Sequence, residues 1–342
     1  MLQFNSNKLD NNRYISTLKG VGNKIGLQNG TLITFMLLIT IITAANFDLF
    51  LTGANIEVLC MNFLFNAFAA LGMTFVIITG GIDLSVATVI PFAEIIVAKL
   101  MVNQGMPMVP AIAITLLCSA FIGLLNGWMV NYLDVHPMII TMGMMMFLKG
   151  FNLATTEGKA ISGFSESFLA LSNEHFLGIN FAIWIFIILA IVLGYLLKKQ
   201  KFCKLVYYIG GNEKAAKLSG VNVKKVKYYI YTQSAVLAGI AGILAASRYG
   251  AAHWSHGVGT ELKAIAAVAV GGASLNGGSG SIGATVLGCV FLALVHNAFI
   301  MAGINTFWYD VVNGGLLLLA VFFSILVENQ RKELLIKNRM KN

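Results

Sequence analysis

Ten apolar runs set the terms on which this chain can fold. They cover roughly Thr31–Phe47, Ile56–Thr79, Leu84–Val102, Val109–Tyr132, Pro137–Ala154, Ile179–Leu197, Val226–Ala246, Glu261–Ser274, Ser281–Met301 and Trp308–Val327. A helix needs about 20 mostly apolar residues to cross the hydrocarbon layer of a bilayer. Most of these runs approach that length. Only 11% of the residues are charged, against about 25% in a soluble domain. The expected fold is therefore all-α: a polytopic membrane protein of about ten transmembrane helices. The eighth run is short and rich in glycine, which predicts a broken or re-entrant segment.

The formal net charge is +9, but its distribution points away from nucleic acid. The basic residues gather in an N-terminal tail (Lys8, Arg13, Lys19, Lys24), a central loop, and a C-terminal tail (Arg331, Lys332, Lys337, Arg339, Lys341). Lysine and arginine are retained on the cytoplasmic side of a membrane. Ten crossings place all three segments on that side, with both termini cytoplasmic. The loop from Thr155 to Gly178 then falls outside and carries Glu157, Glu166 and Glu174 against Lys159. The expected layout is a tail over 1–30, a transmembrane domain over 31–327 and a tail over 328–342. The first apolar run, preceded by an Asn- and Lys-rich stretch, reads as a membrane anchor rather than a secretory signal.

The central loop, residues 198–227, is the longest hydrophilic interruption. Nine lysines (198, 199, 201, 204, 214, 217, 224, 225 and 227) accompany one acid, Glu213. Its centre predicts a short helix. Asn212 is a suitable cap, Glu213 sits in the positively polarised first turn, and Gly220 can terminate the segment. Ala215, Ala216, Leu218 and Val221 supply a small apolar surface. A folded knob ringed by charge suggests a docking element.

Glycine spacing predicts close helix packing. Gly123 and Gly127 form a GxxxG pair, and Gly239 and Gly242 place small residues on the seventh run. A weak internal echo links ITGGIDLSVATVI near Thr79 to VGGASLNGGSGSIGATVL near Val270. Both are Gly-Gly turns between apolar segments.

Ionisable groups inside apolar runs are the candidates for chemistry, because charge at membrane depth is costly. Asp83 follows the Gly80–Gly81 turn, where it can cap the next helix; a direct transport role is the alternative. Glu94 stands inside the third run, three residues after Pro91, and must face a polar cavity, a buried hydrogen bond or a proton. Lys99 and Lys149 are expected to snorkel. His296, beside Asn297, reads as a neutral histidine bonded to a neighbouring helix. His253 and His256, with Trp254 between them, fall on an external loop. Two histidines alone do not make a metal site, so interface anchoring or partner docking is the expectation. Gly278, Gly280 and Gly283 match GxGxxG without the surrounding βαβ unit that a dinucleotide site requires. No GxxxxGK[ST] loop is present, so the chain has no P-loop of its own. Cys60, Cys118, Cys203 and Cys289 are widely spaced and read as small buried apolar residues.

Three blocks in order, GMTFVIITGGIDLSV (Gly72–Val86), YYIGGNEKAAKLSGVNVKKVK (Tyr207–Lys227) and GTELKAIAAVAVGGASLNGGSGSIGATVLG (Gly259–Gly288), resemble the ribose/xylose-type permeases of bacterial sugar ABC importers. The resemblance runs from about the second helix to the C-terminus. It implies one permease subunit in the bacterial cytoplasmic membrane, working with a second permease subunit, a cytoplasmic ATP-binding subunit and an extracytoplasmic sugar-binding protein, with lipid around it. Cofactors and metals are not expected in this chain. The resemblance assigns Gly210, Gly211, Asn212, Glu213, Ala216 and Gly220 to coupling with the ATPase. Glu94, Pro91, Ala87 and Lys263 depart from the family pattern, and opposite charge suggests a compensating Glu94–Lys263 pair. Two rival readings remain: an ion-coupled carrier using Asp83 and Glu94, and a membrane-embedded enzyme.

Overall fold

The structure is a computed structural model that describes residue 30 and residues 32–133, 135–305, 307–319 and 321–322. Both basic tails lie outside the described residues. The helices are α1 (Leu32–Asn46), α2 (Gly53–Ile78), α3 (Val86–Ala98), α4 (Met108–Tyr132), α5 (Pro137–Thr156), α6 (Glu166–Asn173), α7 (Phe181–Lys199), α8 (Lys201–Gly211), α9 (Glu213–Leu218), α10 (Val223–Tyr249), α11 (Thr260–Val270), α12 (Ile282–Met301) and α13 (Phe307–Leu319). A π-helical turn, Lys99–Asn103, extends α3. Among the described residues, seven helices are long and apolar enough to cross a membrane: α2, α3 with its π-turn, α4, α5, α7, α10 and α12. The chain is thus a helical, multi-pass membrane protein.

The all-α expectation needs one small correction. Two ladders of two-residue strands are present, β1 (Ile161–Ser162) with β4 (Ala251–Ala252) and β2 (His175–Phe176) with β3 (Ile179–Asn180). Both are antiparallel; the first joins the loops after α5 and α10, and the second is a hairpin between α6 and α7. Two residues with positive φ, Leu177 (54°) and Gly178 (76°), close the β2–β3 hairpin. Such a two-residue turn needs left-handed backbone at both centres.

Local chemistry explains where the helices begin. Asn180 Oδ1 accepts the Ala182 amide at 2.9 Å, Asn222 Oδ1 accepts that of Lys225 at 3.0 Å, and Ser281 Oγ accepts that of Ala284 at 3.2 Å. Each pairing satisfies an amide that the first turn leaves open. Pro137 starts α5, where its missing N–H costs nothing. The eighth run breaks as its glycine content predicts. α11 has 11 residues, or about 16 Å at 1.5 Å per residue, half the hydrocarbon thickness. Residues 271–281 continue without helix.

Helix α10 is the axis of the bundle, packing against α4, α2 and α3. The predicted glycines mark its closest approaches. A Cβ at Gly123 would lie 2.6 Å from Thr232 Cα, and one at Gly127 would lie 3.0 Å from Tyr228 Cα. From the α10 side, Gly239 faces Ser119 and Gly242 faces Ile90 and Ala93. Small residues replace side-chain interlock with backbone proximity, which favours helix association in lipid.

Buried clusters define two ends. Ile78, Val130, Leu197, Val223 and Ile282 join Cys203, Val206, Ile209 and Ala216 at one end. Ile95, Val97, Ala111, Phe168, Ala246 and Ala252 join at the other. Helices α2, α4 and α7 therefore run toward α8 and α9, while α3, α5, α10 and α12 run away. Polar side chains bond the long helices inside the bundle. Asn55 and Asn297 exchange two amide hydrogen bonds, at 3.1 and 2.9 Å, and the Thr74 and Thr285 hydroxyls lie 2.8 Å apart.

Candidate functional site

The lysine loop folds into two helices where the sequence predicts one. α8 was not legible as a separate element. Its Cys203, Val206 and Ile209 form a buried stripe with the i, i+3, i+6 spacing of an amphipathic helix, hidden among lysines and tyrosines. The cap at α9 is as expected: Asn212 Oδ1 accepts the Ala215 amide at 3.0 Å. Gly220, at φ 82°, ends the element in the left-handed region. Ala216 is buried against the bundle, while Leu218 is 90% exposed. Gly211 and Asn212 are exposed and Glu213 is half-buried.

Glu213 ties the knob to the base of α10. Its carboxylate pairs with Lys227 Nζ at 2.9 Å and with Lys217 Nζ at 2.8 Å. Burial alone would raise its pKa, but the two lysines overcome that and hold the carboxyl below its ordinary range.

Below the knob lie the two echoing glycine turns, and they meet each other. The Gly278 amide donates to the Ile78 carbonyl at 2.8 Å. A Cβ at Gly277 would lie 2.8 Å from the Gly80 nitrogen and 3.0 Å from Gly210 Cα. The GxGxxG spacing thus marks a backbone junction between segments.

Asp83 is fully buried just above its turn. Oδ1 accepts the Ser85 amide at 3.1 Å and the Ser85 hydroxyl at 2.6 Å. Asn126 Nδ2 of α4 donates to Ser85 Oγ at 2.9 Å, and the Thr141 hydroxyl of α5 donates to the Ile82 carbonyl at 3.1 Å. Asp83 thus fixes Ser85, the residue just before α3, rather than capping an amide of the helix itself.

Glu94 and the external histidines form one cluster. The carboxylate is fully buried on α3. Its Oε2 accepts the His253 amide at 3.2 Å and lies 2.7 Å from His256 Nδ1. Its Oε1 has no hydrogen-bond partner. The His253 Nδ1 lies 2.7 Å from Ser255 Oγ, and the Tyr249 ring stacks obliquely on His256 at 4.7 Å. The bond to Glu94 raises the His256 pKa above its ordinary value, against an opposing effect of burial. This corrects the Glu94–Lys263 pairing suggested by charge. The partner of Glu94 is His256, and Lys263 Nζ sits 5.7 Å over the Tyr309 ring.

The sequence held a signal for this cluster. Ala87, Pro91 and Glu94 are spaced i, i+4, i+7, so they share one face of α3. A proline donates no amide to the carbonyl four residues earlier. The Ala87 carbonyl is therefore open, and Gly257 packs directly on it and on Pro91. Among the described residues, no group of three or more His, Cys, Asp or Glu is placed to hold a metal ion.

Other expectations resolve more simply. Lys99 does not merely snorkel; its Nζ donates to the Thr155 carbonyl at 2.6 Å. His296 packs edge-on against Tyr309 at 4.5 Å. Lys149 is exposed. Cys203 and Cys289 are buried, whereas Cys60 and Cys118 are half-buried.

Residues 55–321 match the family described as branched-chain amino acid transport system / permease component. A ribose import permease protein of Haemophilus influenzae is 35% identical over 299 residues, covering 86% of this chain and 92% of that protein. An L-arabinose ABC transporter permease protein of Azospirillum brasilense is 33% identical over 305 residues, covering 89% of each. A ribose import permease protein of Bacillus subtilis is 36% identical over 294 residues, covering 85% of this chain and 91% of that protein. No solved structure matches the chain. With most of its length matched and its helices arranged as a multi-pass bundle, the chain belongs to this family of transport-system permease components.

Proposed function

We propose that this chain is the membrane-spanning subunit of an ATP-driven importer of a monosaccharide in a bacterial cytoplasmic membrane. The observation that carries the reading is the knob of α8 and α9. It is a folded, lysine-ringed element seated on the bundle, with Leu218, Gly211 and Asn212 turned outward. An ion-gradient carrier does not account for such an element, whereas a permease powered by a separate ATP-binding subunit needs a protein contact through which to receive its energy. The sugar relatives support the substrate class.

In this reading α1, α2, α3, α4, α5, α7, α10, the broken α11–281 segment, α12 and α13 make ten crossings. The knob and both basic tails are cytoplasmic, as retention of lysine and arginine on that side requires. A cytoplasmic ATP-binding subunit couples to the bundle through Gly210–Gly220. A second permease subunit, identical or related, completes the pathway, and an extracytoplasmic sugar-binding protein delivers substrate to the end bearing β1, β4 and the 250–259 loop. Asp83 and Glu94 hold the α3 segment in place between the two ends.

Reconstitution by omission tests this. Proteoliposomes holding the permease and the ATP-binding subunit, supplied with ATP and the binding protein, take up labelled monosaccharide. Leaving out either partner abolishes uptake. Uptake undiminished by omission of the ATP-binding subunit overturns the proposal.

A further inference from the structure

Glycines from three segments that are distant in sequence meet at one point beneath the knob. Gly210 and Gly211 close α8, Gly80 and Gly81 close α2, and Gly277 and Gly278 lie in the turn before α12. A Cβ at Gly210 would collide with the Ile78 carbonyl and the Gly278 amide. A Cβ at Gly278 would lie 3.3 Å from Gly211 Cα. Gly80, Gly277 and Gly278 have φ of 79°, 88° and 79°, a backbone that other residues rarely adopt. One side-chain bond reinforces the contact: the Tyr207 hydroxyl of α8 donates to the Gly280 carbonyl at 2.8 Å.

Each turn leads into a different part of the bundle. Residues 79–85 lead through Asp83 and Ser85 to α3, and through Asn126 and Thr141 to α4 and α5. Residues 271–281 join the half-length α11 to α12. Side chains between two elements yield by changing rotamer. Backbone against backbone has no such freedom, so a displacement on one side is passed to the other. At the junction α8 is thus held against both non-helical turns at once.

We infer that Tyr207 and the Gly80–Gly210–Gly277–Gly278 junction are positioning residues for transport, carrying movement of the knob to both turns together. Tyr207 acts through the Gly280 carbonyl and the glycines act by allowing contact without intervening side chains. The inference rests on the proposed ATP-driven reading, and it assigns these residues to transmission rather than to docking.

The test uses the complete importer in proteoliposomes, with ATP hydrolysis and labelled-sugar uptake measured on the same preparation. Tyr207→Phe removes a hydroxyl and leaves the ring. It should keep copurification with the ATP-binding subunit and keep ATP hydrolysis, while uptake per ATP falls roughly three- to tenfold, the effect of one hydrogen bond. Gly278→Ala should act in the same direction and more strongly. An unchanged uptake-to-hydrolysis ratio in both variants overturns the inference. So does loss of copurification in Tyr207→Phe, which would make Tyr207 a docking residue. A failure of the ATP-driven reading itself looks different: wild-type uptake would then proceed without the ATP-binding subunit.

Discussion

Replacing His256 with alanine isolates the least expected interaction in the fold. The change removes an imidazole 2.7 Å from a carboxylate that is fully buried on α3. Glu94 would keep only the His253 amide at 3.2 Å. Because His256 is itself only partly buried, stranding the buried carboxyl should cost about 1.5–3 kcal/mol, the worth of a hydrogen bond to a charged group. Glu94→Gln in the same background removes that charge, so the double variant should recover part of the loss. The coupling energy should be about 1–3 kcal/mol. The pH dependence has a definite sign. His256 has a pKa raised in the folded state, so its stabilisation is complete below the ordinary value of 6.5 and is lost as pH rises through the raised one. The gap between wild type and His256→Ala should therefore shrink as pH rises well above the ordinary imidazole value, toward that of a neutral hydrogen bond, about 0.5–1.5 kcal/mol. Thermal unfolding of the detergent-purified variants at several pH values measures this. Strict additivity of the two substitutions, or a gap that widens with rising pH, would refute the pairing.

Other outcomes follow from the same geometry. Gly123→Leu must push a side chain into the Thr232 backbone and should destabilise by about 1–3 kcal/mol; Gly143→Ala on α5, with nothing within 4 Å, should leave the detergent melting temperature unchanged. Asn55→Leu should cost about 1–2 kcal/mol by stranding the Asn297 amide, and Asn55→Leu with Asn297→Leu should cost less than the sum of the single changes in the same melting assay. Glu213→Lys turns a bridge between Lys217 and Lys227 into three repelling cations, so it and Gly211→Pro should lower uptake per ATP hydrolysed without reducing the amount of permease in the membrane. Because the Glu213 pKa is depressed, its contribution is present above the ordinary value of 4.5 and is lost as pH falls through the folded value. Limited proteolysis of the knob should therefore accelerate only under strongly acidic conditions.

Much of this was legible because membrane helices advertise themselves. The apolar runs located the seven long helices to within a few residues, and glycine spacing located the α4–α10 contact. Asn212, Glu213 and Gly220 gave α9 through local capping chemistry, which acts over three or four residues. α8 escaped because its buried stripe of Cys203, Val206 and Ile209 is interleaved with lysine and tyrosine and contains no long apolar stretch. The Glu94–His256 pair spans 162 positions. Charge alone offered Lys263 as the partner, and only the packing of the 250–259 loop on α3 distinguishes the two. The echo between the turns near Gly80 and Gly277 was visible as a similarity. That the turns touch each other and Gly210 is a fact of tertiary packing, which periodicity does not encode.

Driving force is the most direct test of the central claim that this permease works by coupling to ATP through the α8–α9 knob. Labelled-monosaccharide uptake by the full importer is measured with ATP held constant and the ion gradients collapsed by an uncoupler, then with ATP removed and a gradient imposed. Uptake should survive the uncoupler and vanish without ATP. Uptake that vanishes with the gradient and persists without ATP would contradict it.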